Sequence, residues 1–190
     1  MANTGLNLAR TFWHTHASWR DVRPCRQNWF KIGAMADDNE NLLETLRALV
    51  AAGGERVAAL QRAADAIRAS GGYRWAGLYD VDRAAGLVKN IVYSGPGAPE
   101  YPTFPIGKGL TSSAIATKRP VNAGDVAADP RYLTAFGSTR SEIIVPVLDR
   151  TNETVVGTID VESEKRDAFT NQVESLLQSC AEILSPLWTR

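Results

Sequence analysis

Apolar residues return every three to four positions in some stretches of the chain and alternate with polar ones in others, and these two periods divide it into helices and strands. After Asp37 and Asp38, the residues Leu42, Leu43, Leu46, Leu49 and Val50 keep helical spacing. Gly53-Gly54 interrupts the pattern before Val57, Leu60, Ala64 and Ile67 resume it, which predicts a helix, a break and a second helix. Gly71-Gly72 opens a different pattern: Tyr73 to Val81 alternates, Asp82 to Gly86 is turn-like, and Leu87 to Tyr93 alternates again, as in a hairpin. The proline- and glycine-rich run from Ser94 to Pro105 reads as loop.

From Gly109, the residues Leu110, Ala114, Ile115 and Thr117 predict a short helix stopped by Arg119-Pro120. Residues Asp125 to Thr139 form a long, mostly polar connection of the kind that closes over a site. Glu142 to Leu148 and Thr154 to Glu162 predict a second hairpin, and Thr170 can cap a last helix with Val173, Leu176, Leu177, Cys180, Ile183, Leu184 and Leu187 on one stripe. Strand pairs joined by tight turns make an antiparallel sheet, so the expected class is α+β, a central antiparallel sheet flanked by N- and C-terminal helices.

Up to Met35 neither period is present. Arg10, Arg20, Arg23, Arg26 and Lys31 against Asp21 give this stretch about +4 and leave about −4 for the rest of a chain whose formal net charge is zero. Residues 1–36 are therefore expected to be a tail, either a disordered basic arm or sequence upstream of a true start at Met35, and residues 37–190 one domain. The zero balance argues against chain-wide nucleic-acid binding. No apolar run is long enough to span a membrane and no secretory block is present, so a soluble, cytoplasmic protein is expected. Cys25 and Cys180 make neither a disulfide framework nor a metal site, and His14 and His16 in the tail are weak metal candidates; no metal and no cofactor is expected.

Four motifs resemble, in order and spacing, the GAF domains of the free methionine-(R)-sulfoxide reductase branch: Trp75-Ala76-Gly77-Leu78-Tyr79, Ile106-Gly107-Lys108-Gly109-Leu110, Ser141 to Val147, and Val156 to Ser163. Phe169-Thr170 stands where that family begins its last helix. The resemblance implies a GAF-like fold, a pocket wall from Trp75 and Tyr79, and carboxylates for a ligand's ammonium group at Glu142, Asp160 and Glu162, the last replacing a family Asp. Where the family carries its catalytic thiols, this chain has Tyr101, Thr111 and Ala135. Reduction of a sulfoxide needs an attacking and a resolving thiol, so the resemblance implies no catalytic residues here.

Strand alternation places Asp160 and Glu162 on one face with Thr158 and Val156, and Ile159 and Val161 on the other. Two adjacent carboxylates suit a cation site or an exposed strand end paired with Arg140, Arg166 or Lys165; the match of Glu142 favours the site. Trp75 and Tyr79 share a face and suit stacking on a cation or plain core packing. The N–H groups of Leu110, Thr111 and Ser112 at the short helix's start could receive an anionic group. Cys180, on an apolar stripe, reads as a core residue.

The function expected is a small-molecule-binding sensor or regulatory module in signal transduction, for a free amino acid or related polar ligand, without turnover. A homodimer through the stripes on residues 42 to 50 and 173 to 187 would transmit the signal, unless those stripes pack on their own sheet. The alternatives are a degenerate free methionine-(R)-sulfoxide reductase and a non-binding scaffold whose pocket is filled by Tyr101 and Phe136.

Overall fold

The computed structural model describes residues 26–134 and 136–188, with side chains from residue 37 onward. Helix α1 (Arg26–Ala52) ends at Gly53 and Gly54, whose positive φ of 67° and 95° suits glycine, and α2 (Arg56–Gly71) follows. The Glu55 side chain accepts from the N–H groups of Val57 and Ala58 and caps α2, and Gly72 closes it in the left-handed conformation. The strands are β1 (Trp75–Asp82), β2 (Leu87–Ser94), β3 (Thr103–Pro105), β4 (Val121–Ala123), β5 (Ser141–Leu148) and β6 (Val155–Ser163). Helix α3 (Gly109–Thr117) lies between β3 and β4, and α4 (Asn171–Leu184), capped by the Thr170 hydroxyl, runs into a 3₁₀ turn at Ser185–Leu187 that brings Leu187 into the core.

All strand pairs are antiparallel, in the order β3-β2-β1-β6-β5-β4. Helices α2 and α4 pack on one face of the sheet, and α1 lies against both helices. This face is apolar: Ala76, Leu78, Val92, Ile143, Val145, Ile159 and Val161 meet Leu60, Ile67, Leu177, Cys180 and Leu184. Leu42, Leu46 and Leu49 of α1 are buried in the same core, so the expected stripes pack within their own chain. The other face carries α3 and the loops, with the cavity beneath them.

Several expectations need correction. Helix α1 begins at Arg26, so it crosses the boundary expected between a tail ending at residue 36 and the domain; once a packed segment nucleates a helix, each further residue adds a hydrogen bond without needing an apolar period. The rest of the tail, with Cys25, His14 and His16, lies outside the described residues. The run from Ser94 to Pro105 contains β3, three residues bonded to β2 only on one side, where prolines are tolerated. The long connection starts with a 3₁₀ turn at Val126–Ala128. Val156 does not share a face with Asp160: Val147 pairs with Gly157 but Leu148 pairs with Val155, and this bulge turns Val156 toward the helix-side core. None of the described helices is long and apolar enough to cross a membrane.

Candidate functional site

On the face opposite the helices, sheet register builds one wall of a cavity residue by residue. Glu162 lies directly between Trp75 on β1 and Glu142 on β5, and in the next row Asp160 lies between Gly77 and Ile144. Side chains two apart share a face, so three carboxylates and two aromatics converge. Gly77 is required here, because a Cβ at that position would stand 2.0 Å from Cη2 of the Trp75 indole. The indole therefore lies along the strand, with its N–H donating to the Gly97 carbonyl at 3.1 Å. Tyr93 stacks on it at 6.2 Å between ring centres, and Phe136 tilts against it at 5.9 Å.

The cavity measures about 40 Å³ and is bordered by Pro99, Tyr101, Phe104, Leu133 and the start of α3. Seven expected site residues line it: Trp75, Tyr79, Leu110, Thr111, Glu142, Asp160 and Glu162. Ser112 does not; its hydroxyl donates to the Gly109 carbonyl at 2.8 Å, and it borders a separate open groove of about 750 Å³. That groove is larger, but none of its lining polar side chains is buried, whereas the small cavity gathers the buried acids. Trp75 and Tyr79 are at once core aromatics and cavity wall.

Asp160 is 5% exposed, Glu162 1% and Glu142 8%, so the reading of an exposed, ion-paired strand end does not hold. Arg166 instead pairs with Asp125, and Arg140 donates to the Gly137 and Thr139 carbonyls. Burial pushes the Asp160 carboxyl up to about 7. It pushes Glu162 up to about 7 as well, against the Thr139 hydroxyl that donates to it and the positive charge of Arg74. Glu142 is held well above the ordinary carboxylate range by burial, then by the charges of Glu162, Asp160 and Asp129. The same burial and acids raise the Tyr79 phenol. Asp160 Oδ1 and Thr158 Oγ1 are both buried and make no well-formed hydrogen bond among the described residues, although the neighbouring Thr158 hydroxyl holds the Asp160 carboxyl lower than burial alone would.

Sequence reasoning did not identify Phe104, Leu133, Ile144 or Thr139 as part of the site. Ile144 follows from alternation after Glu142; Thr139 and Leu133 come from the long connection, where no period fixes direction. Tyr101 sits at the mouth, 45% exposed, and Ala135 lies outside the described residues. Cys180 is a core residue on the helix side of the sheet, fully buried, its thiol pushed up to about 12 by burial. An unionised thiol behind the sheet offers the cavity no nucleophile. Among the described residues no cluster of histidine, cysteine and acidic side chains is arranged to hold a metal.

Comparison with known proteins agrees with the geometry. The model of the GAF domain family matches residues 55–185. GAF domain-containing protein A of Dictyostelium discoideum is 26% identical over 152 residues, 80% of this chain and 93% of that protein. The structure of type II free methionine-R-sulfoxide reductase from Thermoplasma acidophilum is 31% identical, covers 77% of this chain and 94% of its own, and superposes with a TM-score of 0.63. Free methionine-R-sulfoxide reductase from Neisseria meningitidis, solved with its substrate, is 28% identical, covers 80% and 88%, and gives 0.73.

Proposed function

The chain belongs to the GAF domain family, and from that premise we propose that it is a sensor module which binds a small polar ligand, a free amino acid or a close relative, without chemical turnover. The observation that carries this is the convergence of Glu142, Asp160 and Glu162, all buried, on one cavity beside Trp75 and Tyr79. Burying three acids together costs stability that a purely structural protein gains by avoiding, and an ammonium group placed among them restores it. The N–H groups of Leu110 and Thr111 at the start of α3 offer the opposite pole for an anionic group. Absence of turnover is supported by Cys180 lying behind the sheet.

The test is a thermal-shift titration of the chain and of Glu142→Gln with free methionine, both sulfoxide epimers and an amino-acid panel. A ligand at 100 times its Kd adds about 2.7 kcal/mol to stability, a rise of several degrees that the variant should lose. Reduction of free methionine-(R)-sulfoxide with dithiothreitol or thioredoxin, at the rate of a thiol-bearing relative, would sink the no-turnover reading. A cavity of only about 40 Å³ favours a second reading, a scaffold with a closed pocket. In that case no compound shifts the midpoint, and Glu142→Gln changes only the basal stability.

A further inference from the structure

The walls of the acidic cavity are not equally fixed. Its floor is the sheet, and the Trp75 indole is held by its bond to the Gly97 carbonyl, by the stacked Tyr93 ring and by its close fit over Gly77. Leu133 packs on Gly109, where a Cβ would stand 2.9 Å from Leu133 Cδ1. Among the residues that line the cavity, Tyr101 alone is exposed; Gly109 and Leu133 are half-buried and the others are buried.

The Tyr101 side chain makes no hydrogen bond, ion pair or ring contact among the described residues, while the backbone that carries it is held on both sides. Upstream, the Gly97 carbonyl accepts from Trp75 Nε1 at 3.1 Å; downstream, the Pro102 carbonyl accepts from the Asn90 N–H at 2.7 Å. Pro99 and Pro102 stiffen the stretch between, and a residue that precedes proline, as Tyr101 does, is confined to extended backbone. The freedom left at the mouth is rotation of one phenol ring. With the ring where it stands, about 40 Å³ remains, room for about three waters, since one needs about 10–15 Å³. That space takes an ammonium group and a few atoms beside it; a longer ligand has to displace the ring.

Resting on the reading of this cavity as a ligand site, we propose that Tyr101 selects the ligand by size: the site takes an amino acid with a side chain no larger than a methyl group, and the phenol ring turns aside for entry and back over the bound molecule. The ammonium group meets the acids and the carboxylate meets the first turn of α3, as for any amino acid; the ring limits how much side chain fits beside them. An open apolar wall would favour longer chains, because each added methylene leaves water. The ring reverses that order. Its hydroxyl has no protein partner, so the bulk of the ring acts and not its polar tip.

A series of constant charge isolates size. Glycine, alanine, 2-aminobutyrate, norvaline and norleucine differ only in chain length, and isothermal titration calorimetry with the full chain should give alanine a Kd at least tenfold below that of norleucine. Tyr101→Ala should cut this gap to threefold or less, and Tyr101→Phe, which keeps the ring, should preserve it. Thermal melts check that both variants, at an exposed position, stay folded. Norleucine binding the parent as tightly as alanine would overturn the selection while leaving the ligand site intact. A gap unchanged in Tyr101→Ala would put the size limit on another wall, and loss of all binding in that variant would make the ring a ligand contact; either overturns the inference. Binding that appears only in Tyr101→Ala would make the ring a permanent plug and the parent a scaffold. If no member of the series binds any of the three chains, the ligand-site reading falls, and this inference with it.

Discussion

The two faces of the central sheet are, along β6, buried to the same degree and made of opposite chemistry. Along β6, Ile159 and Val161 face the helices at 0% exposure, while Thr158, Asp160 and Glu162 face the cavity at 5% or less. The helix face gains free energy from every side chain it removes from water, roughly 25 cal/mol per Å² of apolar surface. The cavity face spends part of that gain on desolvating acids whose hydrogen bonds are incomplete. One strand therefore carries both the stability of the domain and its specificity, separated by alternation alone. Truncation should damage the first face and neutralisation should relieve the second.

The largest effect is expected on the helix face. Leu78, fully buried among the residues packed against α2 and α4, should lose about 2–5 kcal/mol on replacement by alanine, read as a lower urea midpoint with an unchanged slope. A loss under about 1 kcal/mol would mean that this face is packed no better than the cavity and would erase the contrast.

Asp160→Asn should move stability the other way. The carboxyl sits at about 7 in the folded chain against an ordinary 3.8, so the folded state holds the proton more tightly than the unfolded one. Its contribution is favourable below about pH 4, is lost as pH rises from there toward 7, and stays lost above it. Asparagine removes that loss, so the variant should equal the parent near pH 4 and exceed it by about 1–3 kcal/mol at pH 8. Thermal melts across that range give the curve. A variant less stable than the parent at pH 8 would show that the carboxylate has a compensating partner in the folded chain.

The same division explains what the chain's pattern disclosed. Helices α2 and α4, the long strands β1, β2, β5 and β6, and the short α3 were all legible because each repeats one period over enough residues for burial to enforce it. The short strands β3 and β4 were not, since three residues carry too little alternation and Pro102, Pro105 and Pro120 mimic loop. The bulge at Val156 leaves no mark in the run Val155-Val156-Gly157, because either valine can face a core. At the site, Trp75, Tyr79, Glu142, Asp160 and Glu162 were visible from strand alternation and motif order together. Leu133 and Thr139 were not, because the path of a connection without a period is decided by tertiary packing. Ser112, expected for its backbone N–H, borders the open groove instead of the cavity.

Thr139 marks the point where the two regimes can be separated most finely. Its hydroxyl donates to Glu162 and holds that carboxyl lower than burial alone would, though still at about 7. Valine at this position keeps the volume and removes the donor, leaving a buried carboxylate with one fewer hydrogen bond. The folded-state affinity of Glu162 for its proton should then rise further above its ordinary value of 4.5, so the variant's added cost appears as pH climbs through and beyond 7. The expected loss is about 1 kcal/mol at pH 8 and less at pH 4, measured by chemical denaturation at both values. In Thr139→Val combined with Glu162→Gln, the pH-dependent part should vanish, because the group that titrates is gone. A loss that stays equal at both pH values in the single variant would assign Thr139 to packing, and would place the end of the long connection with the apolar face of the sheet in its energetics.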